Sequence, residues 1–296
     1  MQEARDAPKV IWLFWTGTNP LSPMHQLCLK AAQRNAGVEV KLISPQNLSD
    51  YSGDFPLHPS YEHLSLVHRA DYLRCYFLHH FGGAYLDLDV ICLKSLLPLW
   101  DKLKRPNVWA VGYRGMSDGE VICNSAFGPF RPGSSLTQEW HDAVWKTLEQ
   151  NRTALEQHYV KSGGQLNIRG DLPGYPLAWQ QLLADVLNPV QYKYAKHISP
   201  TMPFVVLVDR PLGVFRDRYS EKALARSMIG VAYLAGKGRD ESVLQENSPV
   251  GRALRIALGI DAPIEQRWFD FDPLRSLHIG LIRVRLILKK IYKHLF

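Results

Sequence analysis

Hydrophobic and polar positions alternate along the chain in a way that first names strands and helices and only then a site. Residues 9 to 15, KVIWLFW, form an apolar, β-rich run, and Thr16-Gly17-Thr18-Asn19-Pro20 breaks it. Residues 23 to 37 carry helical spacing with Gly37 at the end, and VEVKLIS at 38 to 44 is a second strand. Strand, helix and strand in that order open a βαβ unit and predict a mainly parallel sheet. Residues 50 to 60 hold two prolines and a glycine and are expected to be a loop.

From Tyr61 onward, Leu64, Val67, Tyr72, Leu73, Tyr76, Phe77 and Phe81 recur at mixed three- and four-residue intervals, the period of a helix with a broad apolar face. Gly82-Gly83 ends it, and AYLDLDVI at 84 to 91 is expected to be one short buried strand. The period of two in such a strand places Asp87 and Asp89 on the same side.

Farther along, residues 93 to 103 are expected to wrap a sheet edge, with strands at 107 to 115 and 119 to 128. A helix spans 134 to 151 with Trp140, Ala143, Val144 and Leu148 on one face. A Gly- and Pro-rich loop from 163 leads to a helix beginning near Pro176. Strands at 190 to 198 and 203 to 209 precede a mixed segment at 214 to 233. In the tail, Leu281, Val284, Ile287, Leu288, Ile291, Tyr292 and Leu295 share one side of a helix, and Arg283, Arg285, Lys289, Lys290, Lys293 and His294 mostly take the other.

Two carboxylates on a buried strand change this picture, because an unpaired buried acid loses several kcal/mol (roughly) of hydration. A divalent cation compensates it: Mg²⁺ and Mn²⁺ take oxygen ligands and keep positions open for water and phosphate, so one or two carboxylates suffice. Asp71 and Arg74 lie three apart on the preceding helix and project from neighbouring positions, where an acid and a guanidinium suit sugar hydroxyls and a diphosphate. The competing reading is a salt-bridged helix whose two strand acids pair with lysine or arginine.

The R-A-D-x-x-R element at Arg69 to Arg74, followed by Gly-Gly-x-Tyr-Leu-Asp-x-Asp at Gly82 to Asp89, resembles the DXD region of glycosyltransferase family 32. The sixteen-residue step from Asp71 to Asp87 agrees with it. The likeness extends over residues 9 to 130, thins to 235 and is absent from the tail. It implies an α/β fold of GT-A (Rossmann-like) type, a mainly parallel sheet flanked by helices, with the amphipathic helix at the C-terminus. The expected domains are a GT-A glycosyltransferase domain at 1 to 275 and the basic helix at 276 to 296.

The resemblance implies a hexosyltransferase that uses Mn²⁺ or Mg²⁺ on Asp87 and Asp89 and moves a sugar from a UDP- or GDP-linked donor to a hydroxyl of a glycan or lipid-linked acceptor. Retention of configuration and a place in bacterial capsule, O-antigen or lipooligosaccharide synthesis are part of the same expectation. Position and resemblance together draw the donor site from Trp15, Thr16, Asn47, Leu66, Asp71, Arg74, Tyr85 and Asp87, with catalytic roles for Asp71, Arg74, Asp87, Asn124 and Asp171. Plainer roles compete at several of these: Trp15 as a core ring, Asn47 as a turn residue, Asn124 as a core asparagine, Asp171 as a turn cap. The sequence departs from the pattern at Tyr233, where a metal-ligating histidine is expected; a water, Asp240 or Ser242 is the candidate replacement, or else Asp89 and the diphosphate are the main ligands.

A net charge of +7 and a pI near 9.2 favour anionic partners, among them nucleotide sugars and phospholipid headgroups. A nucleic-acid partner is not expected, because the basic residues gather in the tail without an interleaved aromatic motif. The basic amphipathic tail suits an anionic membrane surface, or else packs on the core with a solvated basic face. Cys28, Cys75, Cys92 and Cys123 lack C-x-x-C spacing and are expected to be reduced core residues, with no zinc site. MQEARDAPKVIW lacks the basic and apolar regions of a signal peptide, and no apolar run reaches the roughly eighteen residues of a membrane span. The expected location is the cytoplasm, peripheral on the inner face of the membrane. Two rival functions share the acids: a metal-dependent nucleotide-sugar hydrolase, and a non-catalytic scaffold that binds the donor.

Overall fold

The computed structural model describes residues 5–113, 126–166, 170, 173–201, 204–207, 224–232 and 240–262. Their elements in order are β1 (Val10–Phe14), α1 (Pro23–Asn35), β2 (Glu39–Ile43), α2 (Leu66–His80), β3 (Gly83–Leu86), β4 (Val90–Cys92), α3 (Pro98–Asp101), β5 (Ala110–Tyr113), β6 (Ala126–Phe130), α4 (Ser135–Lys161), α5 (Ala184–Lys193), β7 (Ile198–Thr201), β8 (Phe204–Leu207), β9 (Ile229–Ala232) and α6 (Pro249–Leu258). The architecture is α/β. A six-stranded sheet runs β2-β1-β3-β6-β5-β7, and a second sheet of three strands runs β4-β9-β8. In the large sheet β6 lies antiparallel to both its neighbours and the other pairings are parallel. Five strands therefore share one direction, as the opening βαβ unit predicts.

α2 is the buried spine of the fold. Tyr72, Tyr76 and Phe77 are almost inaccessible, and Tyr85, Phe127 and Trp140 complete the apolar layer around them. Each such ring contributes about 1.5–3 kcal/mol by leaving water. The Ser65 hydroxyl starts the helix by accepting the His68 N–H at 3.2 Å. Gly82 and Gly83 end it with φ of +73° and +87°, and the Gly82 carbonyl accepts the Trp12 Nε1–H at 2.7 Å, which ties the helix end to β1.

Several sequence expectations are corrected here. The helix begins at Leu66; Tyr61 belongs to a preceding 3-10 turn, Pro59–His63, and Leu64 is extended. Its buried surface is not one face, because from Tyr72 to Leu78 every residue is buried between the sheet and α4. AYLDLDVI is not one strand. β3 ends at Leu86, β4 begins at Val90 in the other sheet, and the Val90 N–H donates to the Asp87 carbonyl at 3.0 Å. Asp87 and Asp89 are thus brought together by a turn and not by strand alternation.

Residues 190 to 198 are not a strand either. α5 covers them to Lys193, with Pro189 inside it, and a 3-10 turn leads into β7. No helix begins near Pro176, since turns carry the chain from 173 to Ala184. α4 extends ten residues beyond the expected Asn151, to Lys161, and Ala143 on its expected inner face is only half-buried. Cys28, Cys75 and Cys92 are free and buried. Asn124, Asp171, Tyr233, Cys123 and the tail helix lie outside the described residues. Among the described residues no helix is long and apolar enough to cross a membrane.

Candidate active site

β1 and β3 are parallel neighbours, with Trp12 opposite Tyr85, so their carboxyl ends open side by side. Ligands on sheets of this kind gather at those ends. Asp71 and Arg74 come from the middle of α2, Tyr85 from β3, and Asp87 and Asp89 from the turn that follows. Arg74 Nη2 lies 3.0 Å from Asp71 Oδ1 and 3.4 Å from Asp87 Oδ1. Its guanidinium sits 4.7 Å above the Tyr85 ring and 5.9 Å from that of Phe127. The Tyr85 hydroxyl donates to the same Asp87 oxygen. Tyr85 in turn stacks on Phe14, at 5.3 Å and 16°. The sequence placed Asp71 beside Arg74, and the structure adds Asp87 as a third member. It also adds the aromatic floor of Phe14 and Phe127, whose signal was their position on strands flanking β3.

Burial sets the electrostatics. It raises the Asp71 carboxyl to about 6, with Arg74 opposing the shift and Asp87 adding to it. It raises Asp89 to about 7, and Asp87 adds to that shift as a like charge. Burial opposes the charge on Arg74, but Tyr85 and the three acids outweigh it and hold the guanidinium firmly protonated. One Asp89 oxygen, Oδ1, is shielded from solvent and has no hydrogen-bond partner. Its neighbour Asp87 keeps 27% of its side chain exposed. An orphaned carboxylate oxygen beside a half-open carboxylate, both in one turn, fits a divalent cation that takes its other ligands from water and phosphate. Among the described residues no group of three or more His, Cys, Asp or Glu side chains is arranged to hold a metal ion. Among the described residues, the two carboxylates of this turn are the ligands a cation here would find. Asp240 does not add a third in this arrangement; it is exposed and accepts the Ser242 N–H at 2.8 Å, capping a 3-10 turn.

The remaining donor-site candidates divide by what their polar groups already do. The Thr16 hydroxyl donates to the Leu66 carbonyl at 2.7 Å, which fixes the end of β1 against the first turn of α2. Trp15 is half-buried, its indole N–H donating to the Asn19 carbonyl at 2.6 Å and its ring 5.2 Å from His25. Asn47 spends its amide on the turn after β2: Oδ1 accepts the Ser44 N–H at 2.8 Å and Nδ2 donates to the Leu42 carbonyl at 3.0 Å. Sequence reasoning passed over His68, one turn before Asp71. This fully buried residue meets the Ser65 hydroxyl through Nδ1 at 2.9 Å and the Ala178 carbonyl through Nε2 at 3.1 Å. Its three-residue spacing from Asp71 was the available signal.

Residues 14–109, which carry the whole of this cluster except Phe127, match the family described as "Glycosyltransferase sugar-binding region containing DXD motif". No curated protein matches the chain. Among solved structures, the chain is similar to PaToxG glycosyltransferase, at 14% identity over 88% of this chain and 90% of that one, with a TM-score of 0.43. It is also similar to a glycosyltransferase involved in glycosylation of the major capsid of PBCV-1, at 12% identity over 79% and 98%, TM-score 0.43. A third likeness is to the galactosyltransferase LgtC in complex with donor and acceptor sugar analogs, at 13% identity over 88% and 98%, TM-score 0.38. With TM-scores under 0.5, these three are likenesses and nothing more.

Proposed function

We propose that this protein is a glycosyltransferase of GT-A type, related to family 32, that transfers a sugar from a UDP- or GDP-linked donor to a hydroxyl of a glycan or lipid-linked acceptor. The observation that carries the reading is the Asp71–Arg74–Asp87 cluster beside the orphaned Asp89 oxygen, inside the stretch matched by the DXD family model. Asp87 and Asp89 would hold Mn²⁺ or Mg²⁺, which when bound supplies positive charge for a diphosphate. Trp15, Thr16, Asn47 and Leu66 line the donor side, where the exposed part of the Trp15 ring offers a face to a nucleobase.

Arg74 is fixed by two carboxylates and an aromatic floor, so its charge is already oriented when the donor arrives; such preorganised charge favours the developing diphosphate. Asp71, still acidic enough to be ionised near neutral pH, accepts hydrogen bonds from donor sugar hydroxyls and fixes the anomeric carbon. The C1–O bond to the diphosphate breaks, the acceptor oxygen bonds to C1 on the same face, and the acceptor proton passes to the departing phosphate oxygen. Retention follows from that same-face attack. Asn124 and Asp171 are assigned to the sugar and acceptor sides by the resemblance alone.

The proposed setting is bacterial surface polysaccharide synthesis (capsule, O-antigen or lipooligosaccharide), at the cytoplasmic face of the membrane, with the basic tail helix against anionic lipid. Support for this comes from the sequence pattern and from the bacterial members of the resembling family. Titration calorimetry with UDP and GDP, with Mn²⁺ or EDTA, tests the donor site. One nucleotide should bind in the metal-dependent form and lose at least tenfold in affinity in Asp87→Ala. Equal binding with EDTA would overturn the metal assignment, and no binding of either nucleotide would overturn the donor site.

A further inference from the structure

The loop from Trp15 to Ser22 closes on itself and leads into the first turn of α1. The Trp15 indole N–H donates to the Asn19 carbonyl at 2.6 Å, and its ring lies 5.2 Å from that of His25, tilted by 54°. Ser22 caps α1: its hydroxyl oxygen accepts the His25 N–H at 3.4 Å and lies 2.8 Å from His25 Nδ1. With the oxygen accepting from the backbone, the hydroxyl hydrogen is given to Nδ1, which assigns the ring proton to Nε2. Burial lowers the His25 pKa below the usual imidazole value and favours this neutral ring. Nε2 reaches solvent and has no hydrogen-bond partner among the described residues. The same loop meets α2: Thr16 bonds the Leu66 carbonyl, and a Cβ added at Gly17 would fall 3.3 Å from Leu66 Cδ1. Arg74 follows eight residues after Leu66, about 12 Å along the helix, so a ligand resting at the Trp15 and Leu66 end extends toward the guanidinium.

We infer that His25 selects the nucleobase of the donor: its Nε2–H donates to an exocyclic carbonyl of a base stacked at Trp15, O4 of uracil or O6 of guanine. Cytosine and adenine carry an amino group at the corresponding position. Against Nε2–H that group sets donor against donor and leaves both without a partner. A site built around such a hydrogen bond rejects the analogue that cannot make it. The base carries the choice because the diphosphate is common to all these nucleotides and is assigned to Arg74 and the motif turn. Packing beside Trp15 alone would need neither the Ser22 contact that orients the ring nor an unpaired Nε2–H. Residues 15 to 24 carry no charged side chain, so the loop suits a neutral planar group better than a phosphate.

Nucleotide binding in this pocket is the donor reading proposed above, on which the role of His25 rests, and one experiment separates the two. Titration calorimetry of the full chain in Mn²⁺ is run with UDP, CDP, GDP and ADP for wild type, His25→Ala and His25→Phe, the last keeping a ring beside Trp15. Wild type should bind UDP at least tenfold tighter than CDP, or GDP at least tenfold tighter than ADP, and the pair that shows the preference names the base. Both variants should lose that preference to within threefold through weaker binding of the carbonyl base, with affinity for its amino counterpart within threefold of wild type. A loss shared equally by both members of the pair marks a merely structural role and overturns the assignment to His25. A preference that survives in His25→Ala, or is missing from wild type, overturns it as well. No binding of any of the four by wild type overturns the donor reading and the role of His25 with it.

Discussion

Arg74 in the middle of α2 reaches Asp87 at the end of β3, Nη2 to Oδ1 at 3.4 Å, across the boundary between helix and sheet. That contact joins the acid–arginine pair of the helix to the first acid of the motif turn, so that Asp71 and Asp87 share one guanidinium and Asp89 lies in its field. Truncating one side of a buried ion network strands the charges that remain. Arg74→Ala should therefore lower unfolding stability by about 3–5 kcal/mol in urea titration near neutral pH. An unchanged midpoint would show that Asp71 and Asp87 are compensated without Arg74.

Asp89 behaves in the opposite way. Its folded-state value of about 7 lies above the unfolded one, so its ionisation opposes folding. The cost is absent below pH 4, grows as pH rises and is complete above pH 7. In EDTA, Asp89→Asn should stabilise the protein by on the order of 2 kcal/mol at pH 8 and by nothing at pH 4. Mn²⁺ should raise the Tm of wild type and not that of the variant. A variant less stable than wild type in EDTA would contradict the orphaned-carboxylate picture.

Histidines packed between α2 and α4 give the fold an acid sensitivity of its own. The His79 ring stacks on His141 at 4.7 Å and lies 4.6 Å from His80, with Arg5, Asp142 and Thr137 around it. Burial, with His141 adding to it, lowers His79 to about 4. The unfolded chain thus takes up this proton near pH 6.5 and the folded chain does not. The stability is present in full above pH 6.5 and is lost as pH falls toward 4, by on the order of 2 kcal/mol. His79→Gln should flatten that slope in urea titrations between pH 4 and 7; an unaltered slope would assign it to other groups.

At the helix end, Gly83 adopts a φ of +87°, and a Cβ there would meet the Val10 carbonyl and Cγ1 at 2.7 Å. Gly83→Ala should cost about 3 kcal/mol, combining the left-handed backbone with the clash against β1. A Tm within 2 °C (about) of wild type would show that β1 can move aside.

Much of the scaffold was legible in the chain. Apolar runs and breakers marked β1, α1, β2 and the end of α2, and the i, i+3 spacing of Asp71 and Arg74 predicted their contact. What escaped had competing local signals. Alternation through Tyr85, Asp87 and Asp89 reads as one strand, and only tertiary pairing shows that β3 and β4 serve different sheets. Val190, Tyr192 and Tyr194 alternate like a strand behind Pro189, yet Leu187 and Val190 are buried at helical spacing and Tyr192 is 55% exposed. His68 and Tyr175 are 107 residues apart, and nothing local announces that they stack.

The central claim is transfer from a nucleotide sugar, and the direct measurement is nucleoside diphosphate release from a panel of UDP- and GDP-sugars, with Mn²⁺ or EDTA, for wild type and Asp89→Ala. The account predicts turnover of one donor that needs the metal and falls at least a hundredfold in Asp89→Ala. Turnover of no donor, or turnover that survives both EDTA and the substitution, would contradict it.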